Sequence, residues 1–294
     1  MTELLIPHNM EELSSFLTAS ANLEKYFVAG GTDWLVKNRK NLSESAMIFD
    51  FSKIIELRGI KLDERSLRIG AMETMTSIHS NKLIKQYAAA LADAAATMGS
   101  AQIRNRATIG GNLANASPAA DTPCALAALD ASVTVFSPLG SRYLSIEEVL
   151  DSCPNTNRLA DGEIIKEFNL PIKNGYVSAF KKIGSRSEVS IARVNMALSA
   201  RYESGNFSDC RVFIGTLGNA ARRCLGAEKA LTLPPSLREQ GFKKALCEFA
   251  EEMIPGRSTL PYKKSAFQAL AEDLLTVLEK RGKGSESGGE KKNG

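Results

Sequence analysis

Apolar positions in the first part of the chain change between helical and strand spacing. Residues Asn9 to Ala19 carry apolar residues at helical spacing, and Asn9 followed by Glu12 is typical of a helix start. The apolar run KYFVAG comes next, then a helix that begins at Trp34 and a second apolar run, AMIFDFS. This order predicts a β-α-β unit over residues 1–55.

Residues 56–174 form a predicted larger lobe that mixes strands with alanine-rich helices. The segment LRIGAMETMTSIHS predicts a strand, a turn and a helix start. KLIKQYAAALADAAATMGS predicts one helix that Gly99 ends, and ASVTVFS and GEIIKEFNLPI predict strands. We therefore expect an N-terminal domain over residues 1–174, divided into the lobes 1–55 and 56–174.

The pattern changes near Gly175. VNMALSARYES and DCRVFIGTLG alternate as antiparallel strands do, and two helices are expected over Leu237–Met253 and Tyr262–Lys280. These elements predict a C-terminal α+β domain over residues 175–280. Gly, Ser, Glu and Lys dominate residues 281–294, and this composition predicts a disordered tail.

The composition is that of a soluble globular protein. The 294 residues are 44% hydrophobic and 24% charged, and no apolar run is long enough to cross a bilayer. The first residues are acidic and lack the basic region of a secretory signal, so we expect a cytoplasmic location. The net charge of +4 is spread along the chain, which argues against nucleic acid as a partner.

Histidine and cysteine, which supply many metal and nucleophilic sites, are sparse and scattered. The only histidines are His8 and His79, in unrelated settings. No CxxC pair occurs, so we expect neither zinc nor an iron–sulfur cluster in this chain, and we assign no catalytic residue. We interpret the five cysteines as buried, reduced thiols: Cys124, Cys153, Cys210, Cys224 and Cys247.

The stretch YFVAGGTDWLVKN places Gly30 and Gly31 where a strand gives way to a helix. Glycine reaches positive φ easily and lacks the Cβ that would keep a ligand away from the backbone. The N–H groups of a first helical turn suit phosphate oxygens, Thr32 adds a hydroxyl, and Asp33 is expected to cap its own helix. The alternative is an ordinary tight turn before a capped helix. The stretch is neither a Walker A loop nor the GxGxxG of a Rossmann domain.

A second glycine pair stands in ATIGGNLANASPAAD. Buried amides and hydroxyls need partners, and a polar ligand would supply them; the alternative is a loop that satisfies its own polar groups. Two such loops in one chain favour a dinucleotide bridged by a pyrophosphate. The polar and glycine residues of this stretch are Gly110, Gly111, Asn112, Asn115, Ser117 and Asp121.

The motifs AGGTDWL and IRNRATIGGNLANASPAAD together resemble the FAD-binding medium subunit of the molybdenum hydroxylases. This family includes the bacterial xanthine, carbon monoxide and nicotinate dehydrogenases. The segments IPHNMEELSSFL, GEIIKEFNLP, SAFKKIGSR and NAARRCLGAEKAL fit the family in the same order, so the resemblance covers Ile6 to Leu275. It implies an α+β chain: a two-lobed FAD-binding domain of the vanillyl-alcohol-oxidase/PCMH type, then a C-terminal α+β domain with a small antiparallel sheet.

The resemblance also implies which residues bind FAD. Plain strand core is the alternative for Ile165, and a solvated surface lysine is the alternative for Lys181. Two departures from the family are Trp34, where Leu is common, and the absence of the aromatic residue that some relatives place over the flavin after this lysine. The implied FAD-binding residues are Ala29, Gly30, Gly31, Thr32, Asp33, Trp34, Thr108, Ile109, Gly110, Gly111, Asn112, Asp121, Ile165 and Lys181.

The function that the resemblance implies is electron transfer within a multi-subunit oxidoreductase. A large partner subunit would hold the molybdenum cofactor and choose the organic substrate, and a small one would hold two [2Fe–2S] clusters. This chain would accept electrons at FAD and pass them to NAD(P) or another acceptor. Two alternatives are a self-contained FAD oxidoreductase and a cofactor-free assembly subunit.

Overall fold

The first lobe is built around a small parallel sheet. The structure, a computed structural model, describes residues 2–38, 45–150, 156–186 and 190–289. Three strands pair in the order β1-β3-β2, and Phe49 and Leu13 are fully buried beneath them. The predicted β-α-β unit is present, with one further strand before it. Its elements are β1 (Glu3–Leu5), α1 (Met10–Ala19), β2 (Lys25–Val28), α2 (Trp34–Asn38) and β3 (Met47–Asp50).

The second lobe packs short helices against a five-stranded sheet. The strands pair antiparallel in the order β4-β5-β8-β6-β7, and the core combines sheet residues such as Phe168 with the alanine-rich helices. Its elements are β4 (Ile60–Leu62), β5 (Ser66–Gly70), α3 (Met75–Ser80), α4 (Lys82–Tyr87), α5 (Ala89–Thr97), α6 (Ala101–Arg104), α7 (Ile109–Ala114), α8 (Asp121–Ala128), β6 (Ser132–Ser137), β7 (Gly140–Ser145), α9 (Ile146–Val149) and β8 (Ile164–Pro171).

The C-terminal part combines an antiparallel sheet with three helices. The strands pair in the order β12-β11-β10-β9, and the helices bury Phe242 and Phe267 in a core shared with the sheet. The long strands β10 and β11 are those that the alternating pattern predicts. The elements are β9 (Tyr176–Gly184), β10 (Ala192–Glu203), β11 (Asn206–Gly215), β12 (Arg222–Arg223), α10 (Leu225–Leu231), α11 (Pro235–Met253) and α12 (Leu260–Gly289).

The helix predicted to run unbroken up to Gly99 is interrupted at Ala88. Ala88 has φ −140° and ψ 47°, which separates α4 from α5. The Ser178 hydroxyl of β9 accepts a hydrogen bond of 3.1 Å from the Ala90 N–H in the first turn of α5. The new helix start therefore has a partner 88 residues away along the chain, which local sequence does not reveal.

The last helix is longer than predicted, because α12 continues through Gly289. Arg281 donates two hydrogen bonds of 2.8 and 2.9 Å to the Asp93 carboxylate of α5 in the second lobe, and a third to the Ser178 carbonyl of β9. The predicted disordered tail is thus wrong for residues 281–289, while 290–294 lie outside the described residues. Long as α12 is, no helix in the described ranges is apolar enough to span a membrane.

The cysteines fit the buried-thiol interpretation at three of the four positions that the structure describes. Cys124, Cys210 and Cys224 are buried, Cys247 is partly exposed, and all four are unbridged; Cys153 lies outside the described residues. Burial raises the pKa of the Cys210 thiol to about 12 and that of Cys224 to about 11. Burial also raises the pKa of Cys124.

The substitution Arg281→Ala tests the contact that Arg281 makes with Asp93. Removing the contact should lower the free energy of unfolding by about 1 kcal/mol, because a charge-assisted pair is lost from a partly exposed site. Urea unfolding would measure the change. Lys283→Ala, at an exposed position two residues further along α12, is the control and should match the unsubstituted chain. Equal stability of all three proteins would contradict the contact.

Thiol labelling tests the burial of the cysteines. In the folded protein at pH 8, N-ethylmaleimide should modify Cys247 and leave Cys124, Cys210 and Cys224 intact, because the reactive thiolate is suppressed by burial. Peptide mass mapping would identify the labelled positions. After denaturation all three should react, and rapid labelling of any of them before it would show that the packing is wrong.

Candidate functional site

A cavity of about 550 Å³ opens between the two N-terminal lobes. Its volume lies within the range of small-molecule sites, and the junction of two lobes is a common place for one. Both glycine motifs line it, together with residues of β8. The predicted residues on its wall are Ala29, Gly30, Gly31, Thr32, Asp33, Trp34, Thr108, Gly110, Gly111, Asn112 and Ile165.

The segment after β2 lies directly against backbone from the other lobe. A Cβ added to Gly30 would fall 2.0 Å from the Arg106 carbonyl oxygen and 3.1 Å from the Ala107 Cα. Gly31 follows with φ +72°, the left-handed conformation that favours glycine. The two glycines therefore have different roles: Gly30 permits the contact between lobes, and Gly31 permits the turn into α2.

Unpaired backbone donors occur in this first glycine segment. Within the described part of the chain, the N–H groups of Gly30, Gly31 and Thr32 donate no backbone hydrogen bond. They belong to residues on the cavity wall, where a phosphate could accept from them. The Asp33 carboxylate forms an ion pair of 2.8 Å with Lys37. The N–H groups that a capping carboxylate would meet, those of Leu35 and Val36, donate instead to the Gly31 and Asp33 carbonyls, so the predicted cap is not formed. The donor set and the cradle without side chains both fit a pyrophosphate.

The second glycine pair lies in a helix, α7, where a loop is predicted. Its first N–H groups already have partners: Ile109 donates to the Glu73 carbonyl, Gly110 to the Ala71 carbonyl and Gly111 to the Thr108 hydroxyl. A Cβ on Gly110 would meet the Ala71 Cβ at 2.7 Å. The glycines of α7 thus allow close packing beside the cavity.

Apolar and aromatic side chains complete the wall. Ile165 of β8 is 6% exposed and lines the cavity, whereas Ile109 is fully buried behind it. Tyr26 and Trp34 line the cavity as an edge-to-face pair with ring centroids 6.1 Å apart. Sequence reasoning missed Tyr26, although it stands one strand length before the glycines.

The charged groups on the cavity wall are arranged in ion pairs. Lys25 pairs with Asp161 at 2.6 Å, Asp33 with Lys37, and Glu163 with Arg142 at 2.7 Å. The Arg142 guanidinium lowers the pKa of the Glu163 carboxyl, so this group stays ionised at neutral pH. The paired carboxylates are poor candidates for a general base.

Asp121 and Lys181 are not on the cavity wall. Asp121 is 5% exposed at the start of α8, and its carboxylate binds the ammonium of Lys182 at 2.5 Å. Burial raises the pKa of the Asp121 carboxyl, while Lys182 and Asn195 oppose the rise. Lys181 is exposed on β9. The lysine that contacts Asp121, one of the predicted FAD-binding residues, is therefore Lys182. It lies on the same face of β9 as the buried Phe180, and the alternation of faces along the strand could have identified it.

No group of three potential metal-ligating side chains occurs among the residues that the structure describes.

Two protein-family models match the chain. One, described as the FAD binding domain in molybdopterin dehydrogenase, matches residues 1–173. The other, described as the CO dehydrogenase flavoprotein C-terminal domain, matches residues 178–277. Together they account for most of the chain.

Curated relatives and solved structures agree with these matches. The nicotinate dehydrogenase FAD-subunit of Eubacterium barkeri is 29% identical, with 94% of this chain and 97% of the relative covered. The xanthine dehydrogenase FAD-binding subunit of Escherichia coli O157:H7 is 32% identical, with 73% and 74% covered. A carbon monoxide dehydrogenase structure from Hydrogenophaga pseudoflava shares the fold with a TM-score of 0.84 at 23% identity, covering 95% of this chain and 98% of that one.

Substitution of Gly31 by alanine tests the turn that presents the free N–H groups. Gly31→Ala should weaken FAD binding about tenfold, because one hydrogen bond to a charged group is disturbed. Fluorescence titration of the FAD-free protein would measure the dissociation constant. Gly256→Ala is the matched control, since Gly256 has φ +70° with open space around it in the C-terminal part.

Both variants should lose about 1 kcal/mol of unfolding free energy to the strained backbone. Equal FAD affinity of Gly31→Ala and Gly256→Ala would remove the turn from the binding site.

Proposed function

This chain belongs to the family of FAD-binding subunits of molybdenum hydroxylases and dehydrogenases, and we propose that it is the electron-transfer subunit of such a complex. In this proposal it accepts electrons from the [2Fe–2S] clusters of a small subunit and passes them to NAD(P) or another acceptor. A large subunit that binds the molybdenum cofactor carries out the hydroxylation. We place the complex in the cytoplasm. For this chain we propose an N-terminal domain over residues 1–174 and a C-terminal domain over residues 175–280.

The observation that carries the proposal is the cavity whose wall combines free backbone donors with a glycine cradle. Gly30, Gly31 and Thr32 would hold the pyrophosphate of FAD through their N–H groups. The helix α7 would support this segment from behind, through residues Thr108 to Asn112. Ile165, Tyr26 and Trp34 would supply the apolar and aromatic surface that a flavin ring requires.

Bound FAD would supply the ability to take up electrons singly and release them as a pair. The chain itself would bind and orient the cofactor and exclude water from it. The ion-paired state of Asp33, Asp161 and Glu163 supports this division of work, because a self-contained oxidoreductase would need an acid or base at the flavin. The free backbone donors argue against a cofactor-free assembly subunit.

Purification of the tagged chain from its native source tests the proposal. We expect FAD at about one per chain after denaturation, and two further subunits that bring molybdenum and iron with them. The same chain expressed alone is the control, and it should carry FAD without either metal. The absorption spectrum, identification of the released flavin and metal analysis give the three readouts.

Two results would contradict the proposal in different ways. A chain that is colourless and cannot be reconstituted with FAD would favour the assembly subunit. A chain that holds FAD but purifies alone, and turns over a substrate by itself, would favour the self-contained oxidoreductase.

A further inference from the structure

The start of α8 is the centre of a buried polar cluster shared by both domains. The Asp121 carboxylate receives the Lys182 ammonium of β9 on one oxygen, and the Asn195 amide of β10 donates to the other at 2.9 Å. Asn195 also donates to the Ala120 carbonyl at 3.4 Å. Two neighbouring strands of the C-terminal sheet thus bind the same buried carboxylate of the N-terminal part.

The orientation of the Asn195 side-chain amide is fixed by its partner, the Asp121 carboxylate. A carboxylate only accepts hydrogen bonds, so the Asn195 NH₂ group must face Asp121 and the amide oxygen must face away. That oxygen is buried and has no hydrogen-bond partner among the described residues. Across the strand pair it faces Gly215, where an added Cβ would lie 2.1 Å from it. Gly215 therefore leaves the room that this orientation requires.

A short series of bonds connects the cluster with the cavity wall. Thr122, next to Asp121 and fully buried, donates its hydroxyl to the Asn112 side-chain oxygen at 2.5 Å. The Asn112 amide in turn reaches the Met98 sulfur at 3.6 Å, and both residues line the cavity. A displacement of the α8 start would therefore move the Asn112 side chain.

We propose that Asn195 is a positioning residue for the cofactor pocket, acting from the C-terminal sheet through Asp121, Thr122 and Asn112. This inference rests on the proposed binding of FAD in the cavity. It assigns to the C-terminal domain a part in shaping a pocket whose described wall residues all lie in the N-terminal domain.

A neighbouring hydrogen bond on the same strand provides a matched control. The Ser199 hydroxyl of β10 donates to the Ala128 carbonyl at 2.7 Å, at the opposite end of α8. Ser199 is 5% exposed and joins the same two elements as Asn195 does, but it contacts neither Asp121 nor the cavity. Replacing either Asn195 or Ser199 should therefore loosen β10 from α8. Only the replacement of Asn195 should also change the pocket.

The test compares FAD dissociation constants of Asn195→Ala, Ser199→Ala, Asp121→Asn and the double variant Asn195→Ala/Asp121→Asn. We expect FAD binding about tenfold weaker for Asn195→Ala, because the displaced Asn112 side chain would cost the pocket about one hydrogen bond to the charged cofactor. We expect unchanged binding for Ser199→Ala. The double variant should bind FAD no more weakly than the weaker single variant, because both act through one contact. Gly215→Ala, which pushes on the amide and removes no polar group, should also weaken binding.

Thermal unfolding of each FAD-free variant separates folding from binding. If Asn195→Ala does not fold, Asn195→Ser and Gly215→Ala decide the question with the same titration. Additive losses in the double variant, or equal losses for Asn195→Ala and Ser199→Ala, would overturn the inference. Failure of the unsubstituted chain to bind FAD would instead overturn the proposed function.

Discussion

The contact between two backbone segments at Gly30 is the constraint on which the pocket depends. A Cβ at this position would lie 2.0 Å from the Arg106 carbonyl oxygen, and no rotamer change relieves an overlap between backbone-fixed atoms. The absence of that Cβ lets the first lobe rest on the second just before α7. The cavity between the two lobes depends on this approach, and the separate turn at Gly31 then leads into α2.

The two glycine motifs look alike in sequence but differ in what their backbone does. The N–H groups of Gly30 and Gly31 donate no backbone hydrogen bond among the residues that the structure describes, whereas those of Gly110 and Gly111 are bonded within the protein. In our proposal the first motif presents donors to the ligand, while the glycines of the second allow α7 to pack closely beside the cavity. Such a division suits an anion site, because donors fixed in advance need little reorganisation when the ligand binds.

Much of the fold could be predicted from sequence. The structural features that were not predicted share a physical cause. Periodicity located the β-α-β unit and the strands β10 and β11, which are determined by local burial. The break at Ala88, the extension of α12 beyond Lys280 and the pairing of Asp121 with Lys182 all depend on partners far along the chain. Asn195 was missed because an amide in a buried strand carries no local sign of the carboxylate it meets.

We propose that the cavity binds FAD through its pyrophosphate. The most direct test of this binding is an equilibrium titration of the FAD-free chain with FAD and with FMN. FMN carries the same ring but a single phosphate. We expect one FAD per chain and binding about a hundredfold tighter than that of FMN, since the pyrophosphate and its neighbouring contacts are missing from the smaller flavin. Equal affinity for the two flavins, or no binding of FAD, would contradict it.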